Sequence, residues 1–159
     1  MKKVALIKKN WLLYVCSILG GIVLTHSSYW IINNYFSEND FSNEISFTYN
    51  NYPEELLIFL ALFIAPFLET FVFQSLILKV PILWGMKFNN RNLLILFILS
   101  LVLFCCNHIY NLPYIIYSFI AGVYLNCIYI YADYFRSPST SGFLLVSIIH
   151  FFINLSFCF

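Results

Sequence analysis

The chain has 159 residues, 62% of them hydrophobic and only 9% charged, with a mean hydropathy of +0.84. Soluble domains carry about 25% charged residues, so this inventory cannot cover a water-facing surface; 21% aromatics with five glycines exclude a disordered or collagenous chain. A formal net charge of +1, with the few cations flanking apolar segments, gives no nucleic-acid signal.

What remains is an all-α polytopic membrane protein, because lipid offers no partner for an unpaired backbone amide. Five apolar stretches approach the roughly 20 residues needed to cross a bilayer. In chain order they are predicted at about 11–32, 54–78, 92–110, 114–132 and 141–159. The longest connection, 33–53, is polar and rich in Asn and Ser. Pro53, Pro113 and Pro138 each stand just before a span, where proline is tolerated. The chain therefore divides into an N-terminal anchor span with its outer loop, 1–53, and a helical core, 54–159. The first span has the basic start of a signal peptide, but no small-x-small cleavage site follows it, so a retained anchor is expected.

With five spans, Lys2, Lys3, Lys8, Lys9, Lys79, Lys87, Arg91 and Arg136 all fall on one side. The positive-inside rule makes that side, and the N-terminus, cytoplasmic. Glu38, Asp40, Glu44, Glu54 and Glu55 fall on the other. Cys16, Cys105, Cys106, Cys127 and Cys158 lie in apolar segments without CxxC spacing and read as small core residues. In the fourth span Ser118, Gly122 and Asn126 form a small, partly polar face suited to close helix approach.

A charged residue at mid-span costs at least about 2.5–3.5 kcal/mol on insertion scales and is a functional candidate by default. One acid meets that description, Glu69, and two histidines accompany it in other spans, His108 and His150. His150 and Asn154 are four apart and share a helical face with Ser147; Phe104 and His108 are also four apart. Thr70 follows Glu69, and α-helical counting puts Gln74 roughly 140° around from it. His26, near the outer end of the first span beside Ser27 and Ser28, reads as interfacial. A membrane histidine or asparagine often merely hydrogen-bonds a neighbouring helix; Glu, His, His and Asn spread over three spans point to a polar pocket. Simple counting leaves a gap in depth, with Glu69 and His150 about 15 Å from the cytoplasmic helix ends and His108 about 25 Å.

Such a set suits peptide-bond hydrolysis. Glu69 can take a proton from a water held between itself and His108, and His150 with Asn154 can donate to the oxyanion of the tetrahedral intermediate. The same Glu69, His108 and His150 are also zinc-type ligands. A metal-free route is the expected one, with no certain cofactor, because no HExxH-type pair of close ligands exists.

These residues resemble the CPBP family, the CAAX proteases and bacteriocin-processing enzymes also called Abi proteins. The resemblance rests on Ala65-Pro66-x-x-Glu69-Thr70, then Phe104-x-x-x-His108, then His150-x-x-x-Asn154, each on its own span, with the glycine-punctuated helix 119–129 between the last two. It covers roughly residues 55–157. It implies an intramembrane endopeptidase of the glutamic (historically metallo) type that cleaves membrane-associated peptides or proteins. In that pattern Glu69 and His108 activate water, while His150 and Asn154 form the oxyanion site. The family's first motif is usually E-E-x-x-x-R, and this chain carries Glu69-Thr70-x-x-x-Gln74. Exchanging a Glu–Arg pair for Thr and Gln leaves no orphan charge, and a Thr70–Gln74 hydrogen bond is expected in its place. The Phe-, Ile- and Asn-rich composition suggests an AT-rich bacterial genome, hence a bacterial cytoplasmic membrane. A second reading is a catalytically impaired membrane protein of the same fold, serving as an immunity factor or binding partner. A third, a small transporter with a proton relay, lacks the repeated, interrupted helices such sites use.

Overall fold

A computed structural model describes residues 2–36, 53–135 and 141–157. The 33–53 loop from residue 37 to 52, together with Arg136, Pro138 and Cys158, lies outside the described residues. Five helices follow one another, and among the described residues there is no strand. They are α1 (Lys2–Tyr35), α2 (Glu54–Leu83), α3 (Asn90–Cys106), α4 (Leu112–Phe135) and α5 (Gly142–Phe157). Segments Trp11–Tyr35, Glu54–Leu83 and Leu112–Phe135 are long and apolar enough to cross a membrane. Helices α3 and α5 are apolar but have only 17 and 16 residues, about 25 Å of rise each. That is close to the lower limit for a span.

Local chemistry sets the helix ends. The Asn89 and Asn111 side chains cap α3 and α4 by accepting from the backbone amides of Asn92 and Tyr114, each at 2.8 Å. Pro113 sits in the first turn of α4, where its missing amide proton costs nothing. Helix α2 begins after Pro53 with Glu54 and Glu55 at the positive end of its dipole. It ends in a Schellman turn: the Gly85 amide reaches the Ile82 carbonyl, the Met86 amide reaches that of Pro81, and Gly85 takes a φ of 97° that favours glycine.

Helix α2 is not uniformly α-helical. Leu60–Ile64 and Thr70–Lys79 are π-helical, and each run ends two residues before a proline, Pro66 and Pro81. A proline ring crowds the carbonyl four residues back, here those of Leu62 and Ile77, and widening the turn relieves that contact. The wider i→i+5 turn has a second effect. Leu62, Pro66, Thr70, Gln74 and Leu78 are all buried. On an α-helix a strict period of four would drift by about 40° per step; the π-helical runs hold this stripe toward the bundle.

The core gathers Leu78, Leu96, Phe104, Leu125, Tyr129, Leu145, Ile149 and their neighbours between α2, α3, α4 and α5. Helix α1 lies against α4 and α5, with Gly21 buried among Tyr124, Ile149 and Ile153. At one end, Lys79 pairs with Asp133 at 2.8 Å, and the other Asp133 carboxylate oxygen accepts from the Gly142 amide, anchoring the start of α5. At the opposite end, His26 meets the Ser156 hydroxyl at 2.9 Å and stacks on Phe157. The Ser156 hydroxyl donates to the Ile153 carbonyl, so His26 Nε2–H is the donor between them. His26 thus ties α1 to α5.

A polar cluster crosses the core one turn from Glu69. Gln74 donates to Asn126 Oδ1 at 3.2 Å, and the single Ser100 hydroxyl proton is shared between the Phe73 carbonyl at 2.6 Å and the same Asn126 oxygen at 3.0 Å. The expected Thr70–Gln74 bond is replaced by this link: Gln74 reaches across to α4, and the buried Thr70 hydroxyl has no hydrogen-bond partner. Asn126→Ala orphans the Gln74 amide in an apolar core. It should lower bundle stability by about 1–2 kcal/mol, read as a drop in melting temperature in detergent.

Candidate active site

Glu69 closes the short α-helical stretch Ala65–Glu69, just before the long π-helical run. Its Oε2 lies 3.8 Å from His108 Nε2 and 3.7 Å from His150 Nε2. All three side chains are mostly buried, and Glu69 Oε2 has no protein hydrogen bond. The carboxylate therefore faces two imidazole nitrogens, one from the turn after α3 and one from α5, across a polar gap.

The gap in depth expected from counting closes through staggered helix ends. Helix α2 runs on to Leu83, well past Glu69 and beyond the expected span end at 78. Helix α5 starts deeper, because its Gly142 docks on Asp133, level with Lys79. His108 lies in the turn after α3, its ring folded back so that Nδ1 sits 2.7 Å from the Phe104 carbonyl.

That last contact fixes the tautomer. A carbonyl can only accept, so Nδ1 carries the proton, and a neutral His108 turns the lone pair of Nε2 toward Glu69. Phe104 supports both histidines: its ring centre is 4.5 Å from that of His108 and 6.3 Å from that of His150, and Phe73 packs edge-on at 5.6 Å.

Glu69, His108, His150 and Asn154 line one cavity of about 260 Å³, with Phe104 and Ser118 in its wall. Asn154 stands one turn beyond His150, and its Nδ2 donates to the Ala61 carbonyl of α2 at 2.8 Å. An apolar groove of about 650 Å³ adjoins this cavity, walled by Leu57, Leu60, Ile64, Leu68 and Val72. Ala61, Ala65, Glu69, Asn107, Tyr110 and Tyr114 line both spaces. Gln74 lies behind the site with Asn126, and Asp133 is taken up by Lys79.

Asn107, Tyr110 and Tyr114 were not legible as site residues. Asn107 and Tyr110 come from the turn between α3 and α4 and Tyr114 from the first turn of α4, and the Asn-Leu-Pro helix-start signature at 111–113 is the one hint that the chain doubles back there.

Two imidazoles and a carboxylate are the donor types zinc uses, but zinc holds its ligands at about 2.0–2.2 Å. Among the described residues no group of three His, Cys, Asp or Glu side chains is arranged to hold a metal ion. Glu69 Oε2 stands 3.7 and 3.8 Å from the two Nε2 atoms, against roughly 3.4 Å between donors in a tetrahedral set. The arrangement also suits a small polar molecule held between a carboxylate and an imidazole lone pair.

Residues 52–156 match the family model described as type II CAAX prenyl endopeptidase Rce1-like. No curated protein and no solved structure matches the chain. With three helices long and apolar enough to cross a bilayer, the match marks an integral membrane protein.

Proposed function

Because the chain belongs to the Rce1-like family of type II CAAX prenyl endopeptidases, matched over about two thirds of its length, we propose that it hydrolyses peptide bonds of membrane-associated peptides or proteins, in a bacterial cytoplasmic membrane, with Glu69 as general base. The observation that carries this reading is the convergence of Glu69 Oε2 with His108 Nε2 and His150 Nε2 inside one cavity.

The chemistry follows from what each group can give or accept. A water between Glu69 and His108 donates one proton toward the carboxylate and the other toward the His108 lone pair, leaving its own lone pair for the scissile carbonyl carbon. Glu69 takes the first proton as the C–O bond forms. The carbonyl oxygen becomes an oxyanion, and His150 Nε2–H and the Asn154 side-chain amide stabilise it, a contribution that is often the largest in acyl transfer. Glu69 then returns the proton to the departing amine nitrogen as the C–N bond breaks, giving a carboxylic acid and an amine. Phe104 positions His108 through its carbonyl and its ring.

A membrane-anchored peptide library incubated with purified protein tests this reading. Cleavage products are expected, a chelator is expected to leave the rate unchanged, and Asn154→Ala should lower kcat by about 10²–10³, as for one oxyanion donor. A rate unchanged in Asn154→Ala would remove the oxyanion role. The reading as a non-catalytic scaffold draws on Thr70 and Gln74, where the family pattern has a second acid and an arginine. It predicts no cleavage by the wild-type chain at all.

A further inference from the structure

The two histidines of the site make different use of the same spacing. His108 folds back so that Nδ1 sits 2.7 Å from the carbonyl four residues before it, that of Phe104, which puts the ring proton on Nδ1 and leaves Nε2 bare. The residue four before His150 is Val146, and there the ring does not take that contact: His150 Nδ1 is buried without a hydrogen-bond partner. The neighbouring Ser147 hydroxyl is in the same condition. It is fully buried and has no partner, not even a carbonyl one turn back, where a helical serine commonly donates.

Buried polar atoms are almost always paired, so two orphans on adjoining side chains call for one account. Residues three apart on a helix are neighbours, and a helical side chain leans toward its own N-terminus, which brings the His150 ring back over the turn that carries Ser147. A hydroxyl has one proton to give, and a bare imidazole nitrogen has one lone pair to fill. The opposite edge of the ring is taken, since Nε2 faces Glu69 at 3.7 Å. Asn154 donates to the Ala61 carbonyl. Thr70, another buried hydroxyl without a partner, follows Glu69 on α2, the helix that the Nε2 edge faces.

We infer that Ser147 is a positioning residue: rotation about its χ1 bond turns the hydroxyl onto His150 Nδ1, and that hydrogen bond holds the ring proton on Nε2. In the peptidase reading above, on which this rests, His150 donates to the oxyanion from that nitrogen. One cavity thus keeps two neutral imidazoles in opposite tautomers, His108 as an acceptor toward the water and His150 as a donor toward the oxyanion. Without the Ser147 hydroxyl, His150 is free to do as His108 does, folding Nδ1–H onto the Val146 carbonyl and presenting a lone pair where the oxyanion forms. Ser147 is not among the residues lining the cavity, so it acts through the ring.

Ring-nitrogen magnetic resonance of histidine-labelled protein in lipid bilayers tests this without requiring turnover, because a protonated ring nitrogen and a bare one resonate far apart. The chain has three histidines, and the spectrum of His150→Gln identifies the signals of that ring. At mildly alkaline pH the wild type should show His150 protonated on Nε2, with a bare, hydrogen-bonded Nδ1. Ser147→Ala removes one oxygen that makes no other bond, so the protein should stay folded, and His150 should move toward the Nδ1–H tautomer. Ser147→Thr keeps the hydroxyl and should keep the wild-type pattern. In peptide cleavage, Ser147→Ala should lower kcat by about tenfold to 10²-fold, approaching the loss of one oxyanion donor, with KM held, and Ser147→Thr should restore most of it. A wild-type His150 protonated on Nδ1 overturns the inference, as does a tautomer that Ser147→Ala leaves unchanged or that Thr70→Val shifts instead. A wild-type chain that cleaves nothing, yet shows the expected spectra, refutes the peptidase reading and leaves the Ser147–His150 bond standing.

Discussion

Glu69→Gln should lower peptide cleavage by about 10²–10⁴, the range general-base catalysis contributes, while the protein remains folded. The substitution keeps the shape of the side chain and one acceptor oxygen but cannot take up a proton at that position. Glu69 Oε2 makes no protein hydrogen bond, and its nearest polar neighbours are the two Nε2 atoms at 3.7 and 3.8 Å. No short, charge-assisted bond is therefore lost, and an ionisable group has left a mostly buried position. The melting temperature in detergent is expected to hold or rise. A variant that cleaves at the wild-type rate would remove Glu69 as the base. His108→Ala should fall comparably, because the water would lose the acceptor that orients it. It should also release the Phe104 carbonyl from its 2.7 Å contact.

The sequence announces some parts of this molecule clearly and conceals others for physical reasons. Five helices follow from five apolar runs, and Asn89 and Asn111 mark two starts through ordinary capping chemistry. Glu69, His108 and His150 stand out because ionisable groups are expensive in apolar helices, and the structure brings these three together. The partner of Gln74 was concealed. Counting at 3.6 residues per turn turns Gln74 away from Glu69, whereas the π-helical run after Glu69 keeps Thr70, Gln74 and Leu78 on one buried side. The signal for that shift was present in the even spacing of four from Leu62 to Leu78 and in the two prolines. The rim residues Tyr110 and Tyr114 were concealed for another reason: they reach the cavity through the direction of a turn, which hydrophobic periodicity does not encode. Helix α3 also ends short of the expected span, at Cys106.

Gly122→Leu should destabilise the bundle strongly, because side chains of α3 pack directly against that glycine of α4. A Cβ built at Gly122 would stand 2.9 Å from Leu101 Cδ1 and 2.9 Å from Phe104 Cδ1, inside ordinary van der Waals contact. Leu101 and Phe104 are themselves buried, so neither has free space to move into, and a leucine adds three more carbons. Overpacking of this kind costs about 1–3 kcal/mol or more, to be read as a fall in melting temperature in detergent against an Ile116→Leu control. The smaller change, Gly122→Ala, separates packing from chemistry. Its methyl pushes on Phe104, whose ring lies 4.5 Å from that of His108 and whose carbonyl fixes the His108 tautomer. Gly122→Ala should therefore lower kcat by a larger factor than its modest loss of stability suggests, with KM little changed because the groove along α2 is untouched. If Gly122→Ala melts and turns over as the wild type does, the α3–α4 approach is not what holds His108 in place; if Gly122→Leu and Ile116→Leu melt together, Gly122 is not a packing constraint at all.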